Sequence, residues 1–546
     1  MTMPSRFGLA ACSEIALLLL LAGCHESDSP AAVASRPPEF VGQVTIAPNA
    51  NAWAPLAMVL SLETNVPTRV ELRISDPDRS WNVVAEKDFA TNHPSVPVIG
   101  MRPGLLHRVE VLVRDENGNA AVWPQPLEFT TPPLPPYFPP ITVQTSEPQQ
   151  MEPGVTLLPI MSIEPGSFPV MIDAEGQVVW YLDCSQIIGD AQTSAFPMRN
   201  GHLMLISDRR VLTEVDMLGN VIQVYSASRY HGAIPGTIAL DTDSFHHDFV
   251  EMPEGSDSDY AVIGTELRTL PNYPASEVDP MQTAPTADVI GDEILEFRRN
   301  GEIVRRHRLL DILDPYRISY DGLGTFWDDY YARSTEDWSH ANAIVLDPRT
   351  DSWIVSMRHQ EAVIQIQRTT GQIEWILGDP GRWMEPWRSY LLTPVGLDFQ
   401  YSYHQHAPEL QPDGTIFLFD NGNGRAVPPN PRMSRQQSYS RAVQYRPDPA
   451  ARTVQQLWSY GGPPGTSMPS FFSGAVGSAY VQPATGNVLV CSGAQFAPGT
   501  GPYARVFELV REAEPRTVFE CTIRGTTSFQ VSYFCYRAYR LAGVYR

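Results

Sequence analysis

The sequence predicts an all-β protein in which a six-bladed β-propeller follows a smaller β-sandwich domain. Two repeats carry this prediction. The first is a turn followed by a strand of alternating apolar and polar residues, and it occurs six times between residues 173 and 523. The second is a short apolar strand that ends at a turn, and three of its copies hold a histidine at one position. Four-stranded units repeated with one turn signature are typical of propeller blades.

Length and composition agree with a large β protein. The 546 residues are 43% hydrophobic, and 50 prolines with 38 glycines suit many short strands joined by turns. A net charge of −22 leaves no basic stripe to neutralise phosphates, so we expect no nucleic-acid partner. Because Lys87 is the only lysine, a P-loop lysine and Schiff-base chemistry are nearly excluded.

The first residues resemble a bacterial lipoprotein signal peptide. Arg6 precedes a short apolar run and then the residues Leu21-Ala22-Gly23-Cys24. We expect cleavage after residue 23, attachment to a membrane through a lipidated Cys24, and a flexible tether over 24–37. The protein is then an exported, periplasmic or outer-membrane lipoprotein. An ordinary secretory signal with a chance cysteine is the alternative.

Export makes disulfides possible. Beyond Cys24 the chain holds Cys184, Cys491, Cys521 and Cys535, which allow three connectivities. We expect Cys521 to pair with Cys535, since the two flank a plausible hairpin. No cysteine has the spacing of a zinc site.

The β-sandwich domain is expected over residues 38–131. Its runs "TRVELRIS", "HRVEVLVRD" and "QPLEFTT" alternate apolar and polar residues, and the domain resembles a fibronectin type III module. Six prolines in "PPLPPYFPP" then predict a stiff linker over 132–143. The remaining residues, 144–546, form the propeller, whose turn-and-strand copies begin at 173, 216, 298, 368, 450 and 514.

The histidine repeat indicates where the propeller concentrates polar groups. It reads "SFHHDFVEMPEG" at 244–255, "DWSHANAIVLDP" at 337–348 and "SYHQHAPELQPDG" at 402–414. His247, His340 and His406 occupy one slot, which weaker copies fill with Thr193 and Ser478. The innermost strands of a propeller line its channel, so we expect the three imidazoles to converge at one mouth.

Strict alternation along these strands predicts which neighbours share the mouth. Asn342 should lie on the face of His340, and His404 on the face of His406. His246 should face away from His247 and have a structural or supporting role. Arg358 and His359 should also face opposite ways, with Arg358 as the contribution of the next strand to the mouth.

Three imidazoles, an arginine and an asparagine favour chemistry on an anion. Three histidines can also bind zinc, but a fixed positive charge beside a dication is unfavourable. A neutral imidazole can attack phosphorus or sulfur and carry the group as a covalent intermediate. The arginine and the amide would stabilise the oxygens of the transferring group, and a second histidine would move the proton. Among the aromatic residues, Phe245, Tyr401, Tyr403 and Tyr439 could stack on a ligand at the mouth, although packing is the commoner role of such residues.

Several segments resemble the bacterial arylsulfate sulfotransferases. They are "HANAIVLDPRTDSWIVSMRHQ", "QHAPELQPDGTIFLFDNGNGR", "SRAVQY" and the terminal "YRAYRL", in the order of that family. The resemblance implies a six-bladed propeller that transfers a sulfuryl group from a phenolic sulfate ester to a phenolic acceptor. It implies a ping-pong route through a sulfohistidine that is independent of phosphoadenosine phosphosulfate. No motif in the sequence requires a metal and we expect no cofactor, while a homodimer is possible.

The resemblance also assigns roles to single residues. His406 matches the nucleophile of the family, His340 and Asn342 match its "HxN" pair, and Arg358 matches its sulfate-binding arginine. His247 matches the remaining histidine, although the doublet leaves the choice between it and His246 open.

Two other functions stay open on the sequence alone. One is a non-catalytic propeller lipoprotein displayed for binding. In such a protein we would expect some of the polar residues at the mouth to be replaced. The other is a hydrolase or lyase of a different anionic ester, which a phenolic acceptor would not accelerate. Acidic loops could also bind calcium, although no motif requires it.

Overall fold

The computed structural model describes residues 36–162, 166–184, 194–496, 501–525 and 532–545. Nearly all regular structure in these ranges is strand. None of the described helices is both long and apolar enough to cross a membrane. The predicted signal peptide, Cys24 and Thr193 lie outside the described residues.

The N-terminal domain consists of six strands. The second strand pairs with the third along its length and with the fourth over its second half. Its residues alternate between buried and more exposed, as a strand over a core requires. The core includes Leu60, Val70, Leu72 and Val111. The strands are β1 (Thr45–Pro48), β2 (Met58–Ser75), β3 (Ser80–Val98), β4 (Leu106–Arg114), β5 (Ala120–Val122) and β6 (Leu127–Thr130).

The rest of the chain forms six mainly antiparallel sheets, each one blade of a propeller, and three of them carry an additional parallel strand, namely Ile238–Leu240, Glu336–Asp337 or Thr393–Val395. After β7 (Ile141–Ser146), the first blade contains β8 (Val155–Met161), β9 (Phe168–Ile172) and β10 (Val178–Tyr181). The second contains β11 (Ser194–Pro197), β12 (Leu203–Ser207), β13 (Val211–Val215), β14 (Val221–Ala227) and β15 (Ile238–Leu240). The third contains β16 (Phe245–Glu251), β17 (Tyr260–Pro274), β18 (Thr283–Phe297) and β19 (Ile303–Arg308), with α1 (Leu309–Ile312), α2 (Asp328–Tyr331) and the edge strand β20 (Glu336–Asp337) following it.

The last three blades follow the same plan. The fourth contains β21 (Ala341–Asp347), β22 (Ser352–Met357), β23 (Ala362–Gln367) and β24 (Ile373–Gly378). The fifth contains β25 (Thr393–Val395), β26 (His406–Leu410), β27 (Ile416–Asp420), β28 (Arg441–Asp448) and β29 (Thr453–Tyr460). The sixth contains β30 (Ser478–Val481), β31 (Val488–Gln495), β32 (Tyr503–Val510) and β33 (Arg516–Ile523), and the chain ends with β34 (Phe534–Cys535) and β35 (Tyr539–Leu541).

Both ends of the propeller close the ring. The strands β34 and β35 pair with β8 and supply the inner edge of the first blade. The strand β7 pairs with β33 at the outer edge of the sixth blade. The propeller therefore begins at Ile141, and the linker predicted over 132–143 ends earlier, because the last residues of that range already form ladder hydrogen bonds with β33.

The six turn-and-strand copies are the outer hairpins of the six blades. Four of their turns hold glycines with φ between 72° and 88°, a conformation in which a Cβ atom is strained. These glycines are Gly176, Gly219, Gly301 and Gly371. The predicted fold class is confirmed: an all-β chain with a six-bladed propeller behind a β-sandwich domain. His247 lies in β16, His340 directly precedes β21, and His406 begins β26. Each of these strands is the innermost strand of a blade.

The predicted disulfide is wrong. Cys491, Cys521 and Cys535 are buried free thiols. Cys521 lies in β33 of the sixth blade, where it pairs with β32 and β7, whereas Cys535 lies in β34 of the first blade. Their strands do not pair with each other as the expected hairpin requires, because β33 and β34 belong to different blades. Burial raises the pKa of Cys521, so this thiol is un-ionised at neutral pH.

Candidate functional site

The mouth of the propeller holds a cavity of about 660 Å³. It brings together four of the five predicted site residues: His247, His340, His406 and Arg358. Asn342 is not among its lining residues. The charged and imidazole side chains of the lining are completed by residues that sequence reasoning did not place there, namely His246, His359, Asp208, Arg209, Glu277, Asp321 and Asp337.

β-Bulges aim the histidines into the cavity. The ladder of β16 is interrupted between His246 and Phe249, that of β21 between Ala341 and Ala343, and that of β26 after His406. A bulge bends its strand and redirects side chains, and bulges are frequent beside active sites. His247, with a φ of 60°, lies within such a bulge. Both His246 and His247 therefore line the cavity, and the prediction that they face opposite ways is wrong.

His406 is held in one tautomer. Its Nδ1 lies 2.6 Å from Oδ1 of Asn421. The amide nitrogen of Asn421 donates to the carbonyls of Ser473 and Val476 at 2.8 and 2.9 Å, which fixes Oδ1 toward the imidazole. Because an amide oxygen only accepts, Nδ1 of His406 carries the proton and Nε2 carries the lone pair. No described residue hydrogen-bonds to that Nε2.

The environment keeps His406 neutral. Burial, and after it the positive charge of Arg358, lowers the pKa of His406 well below the ordinary value. Burial, followed by the neighbouring His340, has the same effect on the pKa of His247. Both imidazoles are therefore uncharged at neutral pH. The cavity thus contains an oriented, unprotonated imidazole beside a fixed guanidinium.

The other two mouth histidines are also held through Nδ1. His340 Nδ1 lies 2.5 Å from a carboxylate oxygen of Asp337, and the ring centre of His340 lies 4.7 Å from that of His247. His247 Nδ1 lies 2.7 Å from Nδ1 of His246. The Nε2 atom of His246 lies 3.1 Å from Asp292, off the line of a hydrogen bond. A hydrogen-bond partner behind each ring fixes its orientation, as is usual for imidazoles that move protons.

Arg358 is held by His359, which strand alternation had predicted to face the opposite way. Residues Arg358–Gln360 form a 3-10 turn, so Arg358 and His359 do not alternate as they would in a strand. The guanidinium contacts Nε2 of His359, whose Nδ1 donates to the carbonyl of Asp337 at 2.7 Å. His359 thus acts as a neutral acceptor that orients Arg358. Burial and the neighbouring His340 lower the pKa of His359, which agrees with this role.

A shared carboxylate completes the basic side of the cavity. Asp321 lies 3.8 Å from Arg358, 2.9 Å from His404 and 2.6 Å from Arg432. Burial alone would raise the pKa of Asp321, but the bond from His404 and the charge of Arg358 hold it below its usual range. Burial would likewise lower the pKa of His404, but Glu361 and Asp321 outweigh it and raise that pKa. His404 and Arg432 have further carboxylate partners in Glu361 and Glu277. Arg358, whose carboxylate partner lies 3.8 Å away, is therefore the least neutralised of these cationic groups and the one best able to bind an anion.

Two residues predicted to face the mouth lie behind it. Asn342 is fully buried and donates to the carbonyl of Gln405 at 2.7 Å, so it supports the backbone that precedes His406. His404, with a φ of 54°, is directed to Asp321 and Glu361 instead of sharing a face with His406. The bulges and the left-handed residues break the period of two on which both predictions rested.

Two overlapping groups have ligand atoms close enough for a metal ion. They are Asp321, His359 and His404, and Asp337, His340 and His359, with all ligand atoms of a group within 4.8 Å of one another. Both groups need His359, whose two ring nitrogens already serve Asp337 and Arg358. A dication there would displace or repel the guanidinium. The donor set therefore fits an anion in the cavity better than a metal.

The apolar lining differs from the predicted aromatic set. Phe245 does line the cavity, together with Phe326 and Tyr536. Tyr401, Tyr403 and Tyr439 do not line it, and the last two hydrogen-bond to Asp379 and Gln400. Phe326 is 44% exposed, and its ring centre lies 4.9 Å from that of His340, so it is the aromatic side chain best placed beside the histidines.

Sequence reasoning missed three supporting residues. Asp337 opens the stretch that contains His340, and Asn421 follows β27 in "FLFDNGNGR". Asp337 could have been identified from its position three residues before His340, and Asn421 from its position directly after a strand. For His359, no pattern in the sequence distinguishes the 3-10 turn from a continuing strand.

Comparison with known proteins agrees with this architecture. The family model described as "Arylsulfotransferase (ASST)" matches residues 141–537, and the model "Arylsulfotransferase Ig-like domain" matches residues 44–128. The protein named arylsulfate sulfotransferase AssT in Escherichia coli O6:H1 (strain CFT073) is 30% identical over 347 residues, 54% of this chain and 52% of that protein. The protein of the same name in Lelliottia amnigena is 28% identical, with the same coverage.

The chain spans about half the length of the curated relatives that it matches. Two solved structures resemble it weakly. BamB from Moraxella catarrhalis has a TM-score of 0.24 and 10% identity, with 78% of this chain and 96% of that chain covered. A putative 6-phosphogluconolactonase from Bacteroides fragilis has a TM-score of 0.32 and 9% identity, with coverages of 68% and 83%. Because the two family models match both domains and most of the sequence, the chain belongs to the arylsulfotransferase family.

Proposed function

We propose that this protein is an aryl sulfotransferase, which moves a sulfuryl group from a phenolic sulfate ester to a phenolic acceptor. One observation carries the proposal. His406 is a buried, neutral imidazole whose Nδ1 is held by Asn421, and it lies in one cavity with Arg358. An arrangement of this kind suits covalent transfer of an anionic group better than simple binding.

The first half-reaction forms the covalent intermediate. Nε2 of His406 attacks the sulfur of the donor, the bond between sulfur and the phenolic oxygen breaks, and a phenolate leaves. Arg358 stabilises the negative sulfuryl oxygens as the group moves. His340, supported by Asp337, donates a proton to the phenolate when the leaving group is basic.

The second half-reaction reverses these steps on the acceptor. His340 takes the proton of an incoming phenol, whose oxygen attacks the sulfur of the sulfohistidine. The bond between sulfur and nitrogen breaks, and His406 returns to its neutral form with the proton still on Nδ1. His247, neutral and in ring contact with His340, helps to orient the sulfuryl group.

A colorimetric assay tests the proposed reaction. Purified protein is mixed with 4-nitrophenyl sulfate, with and without phenol, and nitrophenolate release is followed. We expect release to depend on phenol, with phenyl sulfate as the second product. Release at an equal rate without phenol would indicate a hydrolase. No release by the folded protein would favour another anionic ester or a binding function.

Replacing Asn421 by aspartate should change the ionisation of His406. A carboxylate in place of the amide stabilises the imidazolium, so the acid limb of kcat/KM for the donor should move to higher pH. We expect a fall of roughly 10-fold at neutral pH, since most of His406 is then protonated on Nε2 while its Nδ1 still donates to the carboxylate. Asn300→Asp is the control, because Asn300 is exposed on a turn of the third blade, where its Oδ1 accepts from the amide of Glu302 outside the cavity lining. Identical pH profiles for the two variants would contradict the role given to Asn421.

In the wild-type protein, the acid limb of the pH profile of kcat/KM should lie at a pH below the ordinary pKa of histidine. A lowered pKa means that His406 stays neutral until the pH falls through that lower value. With 4-nitrophenyl sulfate, whose leaving group needs no proton, kcat/KM for the donor should hold constant down to about pH 6.5 and fall only below it. The lowered pKa of His406 also makes the folded protein less stable as the pH falls below about 6.5, because the unfolded chain then binds more protons than the folded one. An acid limb above that pH would contradict a neutral nucleophile.

A further inference from the structure

The cavity contains a second arginine that the proposed chemistry does not use. Arg209 and Arg358 both line it. Arg358 has Asp321 at 3.8 Å. In the described part of the chain, by contrast, no carboxylate lies within the 4.0 Å of an ion pair from Arg209. A half-buried guanidinium without a carboxylate partner is notable in a protein whose net charge is −22.

Uncharged groups hold the Arg209 side chain in place. Its side chain donates to the carbonyl of Phe326 at 3.0 Å. Its guanidinium lies 5.2, 5.5 and 5.6 Å from the ring centres of Phe326, Trp327 and Tyr330. Cation–π contacts fix the direction of an arginine without neutralising it. The positive charge therefore remains available to a ligand in the cavity.

The backbone of Arg209 is also tied to the site. Asp208 and Arg209 have φ values of 50° and 55°, which only a tight turn imposes on such residues. The carbonyl of Arg209 accepts from the amide of Phe245 at 2.8 Å, at the start of the strand that carries His246 and His247. Strained residues persist where the surrounding structure determines them, and they cluster at binding sites.

Phe326 lies between this arginine and the reactive histidines. Its ring centre is 4.9 Å from that of His340, 6.3 Å from that of His247 and 5.2 Å from the Arg209 guanidinium. An aryl group that stacks on Phe326 with its reacting oxygen at the histidines directs its opposite edge toward Arg209. Asp208 on the same rim is exposed, so water screens its negative charge.

We propose that Arg209 forms a subsite for a carboxylate on the aryl substrate, so that the protein prefers phenolic acids to neutral phenols. The inference rests on the proposed sulfuryl transfer for its kinetic consequence, but carboxylate binding is a property of the cavity alone. Arginine suits a carboxylate, because its planar fork can donate two parallel hydrogen bonds.

The test compares 4-hydroxyphenylacetate with its neutral amide. A methylene group separates the phenol from the variable group, so both have similarly nucleophilic oxygens. Calorimetry measures the binding of each compound, and transfer from 4-nitrophenyl sulfate gives kcat/KM for each acceptor. We expect the wild-type protein to favour the acid by about 10- to 100-fold in both measurements. In Arg209→Gln this preference should fall to about one, while the values for the amide change little.

Arg210→Gln is the matched control. Arg210 adjoins Arg209, but it donates to the carbonyls of His231 and Gly232 and is not among the cavity-lining residues. It should keep the preference for the acid. Equal binding of acid and amide by the wild-type protein, or an unchanged preference in Arg209→Gln, would overturn the inference and leave sulfuryl transfer to phenol untouched. Preferential binding of the acid without any transfer would support the carboxylate subsite and contradict the proposed function.

Discussion

The His406→Ala variant should fold like the wild-type protein and release nitrophenolate at least about 10³-fold more slowly. The variant keeps Arg358, His340 and the cavity, but it lacks the atom that forms the bond to sulfur. Removing a covalent nucleophile costs far more than removing a residue that only binds, because the two-step route itself is lost. The measurement is the phenol-dependent rate at saturating donor, together with thermal unfolding of both proteins.

His202→Ala is a suitable control for this variant. His202 lies 2.7 Å from Glu214 on a turn of the second blade, away from the cavity lining. Glu214 keeps Arg299 as a partner when that imidazole is removed. The control should therefore retain its activity. If His406→Ala remained as active as the control, the nucleophile would have to be another group.

Arg358→Lys should lower kcat for sulfuryl transfer by about 10²- to 10³-fold. The lysine retains the charge but not the fork that His359 and Asp321 hold in position. A flexible ammonium cannot donate two hydrogen bonds in a fixed plane to a sulfuryl group. The loss should appear mainly in kcat, since the oxygens gain negative charge as the bond to the phenol breaks.

The control for this substitution is Arg435→Lys. Arg435 is exposed and packs over Phe496 outside the cavity lining. It should leave kcat unchanged. Inorganic sulfate provides a second measurement, because it should inhibit the wild-type protein more strongly than Arg358→Lys. A variant with wild-type kcat and unchanged inhibition by sulfate would show that Arg358 does not contact the transferring group.

The sequence predicted the fold class well, because the turn-and-strand repeat depends only on local structure. Each blade ends in a hairpin, and a hairpin turn needs residues such as Gly219 or Gly371 that adopt a positive φ. The convergence of His247, His340 and His406 was predictable for the same reason. Three copies of one strand occupy one place in a symmetric ring, so equal slots meet at the axis.

The orientations at the mouth were not predictable from alternation. A bulge adds a residue to one strand, so each residue after it changes face. No residue type around His246 or Asn342 indicates that such an insertion occurs there. The 3-10 turn at Arg358 has the same effect on His359. The sequence thus predicted which residue types meet at the mouth, whereas their orientation depends on local backbone departures from ideal strands.

The supporting residues also depend on contacts distant in sequence. Asn421 acts on His406 from a different strand and is itself held by the carbonyl of Ser473, 52 residues away. The disulfide prediction was wrong for a related reason. It treated Cys521 and Cys535 as neighbours along the chain, whereas closure of the ring assigns them to the sixth and first blades.

The central claim is that His406 carries the sulfuryl group, and peptide mass measures this directly. The protein is incubated with 4-nitrophenyl sulfate without acceptor, quenched at alkaline pH and digested with trypsin. The peptide of residues 389–425, which contains both His404 and His406, should gain the mass of one sulfuryl group. Fragmentation should locate the added mass on His406, and brief exposure to phenol should remove it. A sulfuryl group on another residue, or full turnover without any modified peptide, would contradict the proposed mechanism.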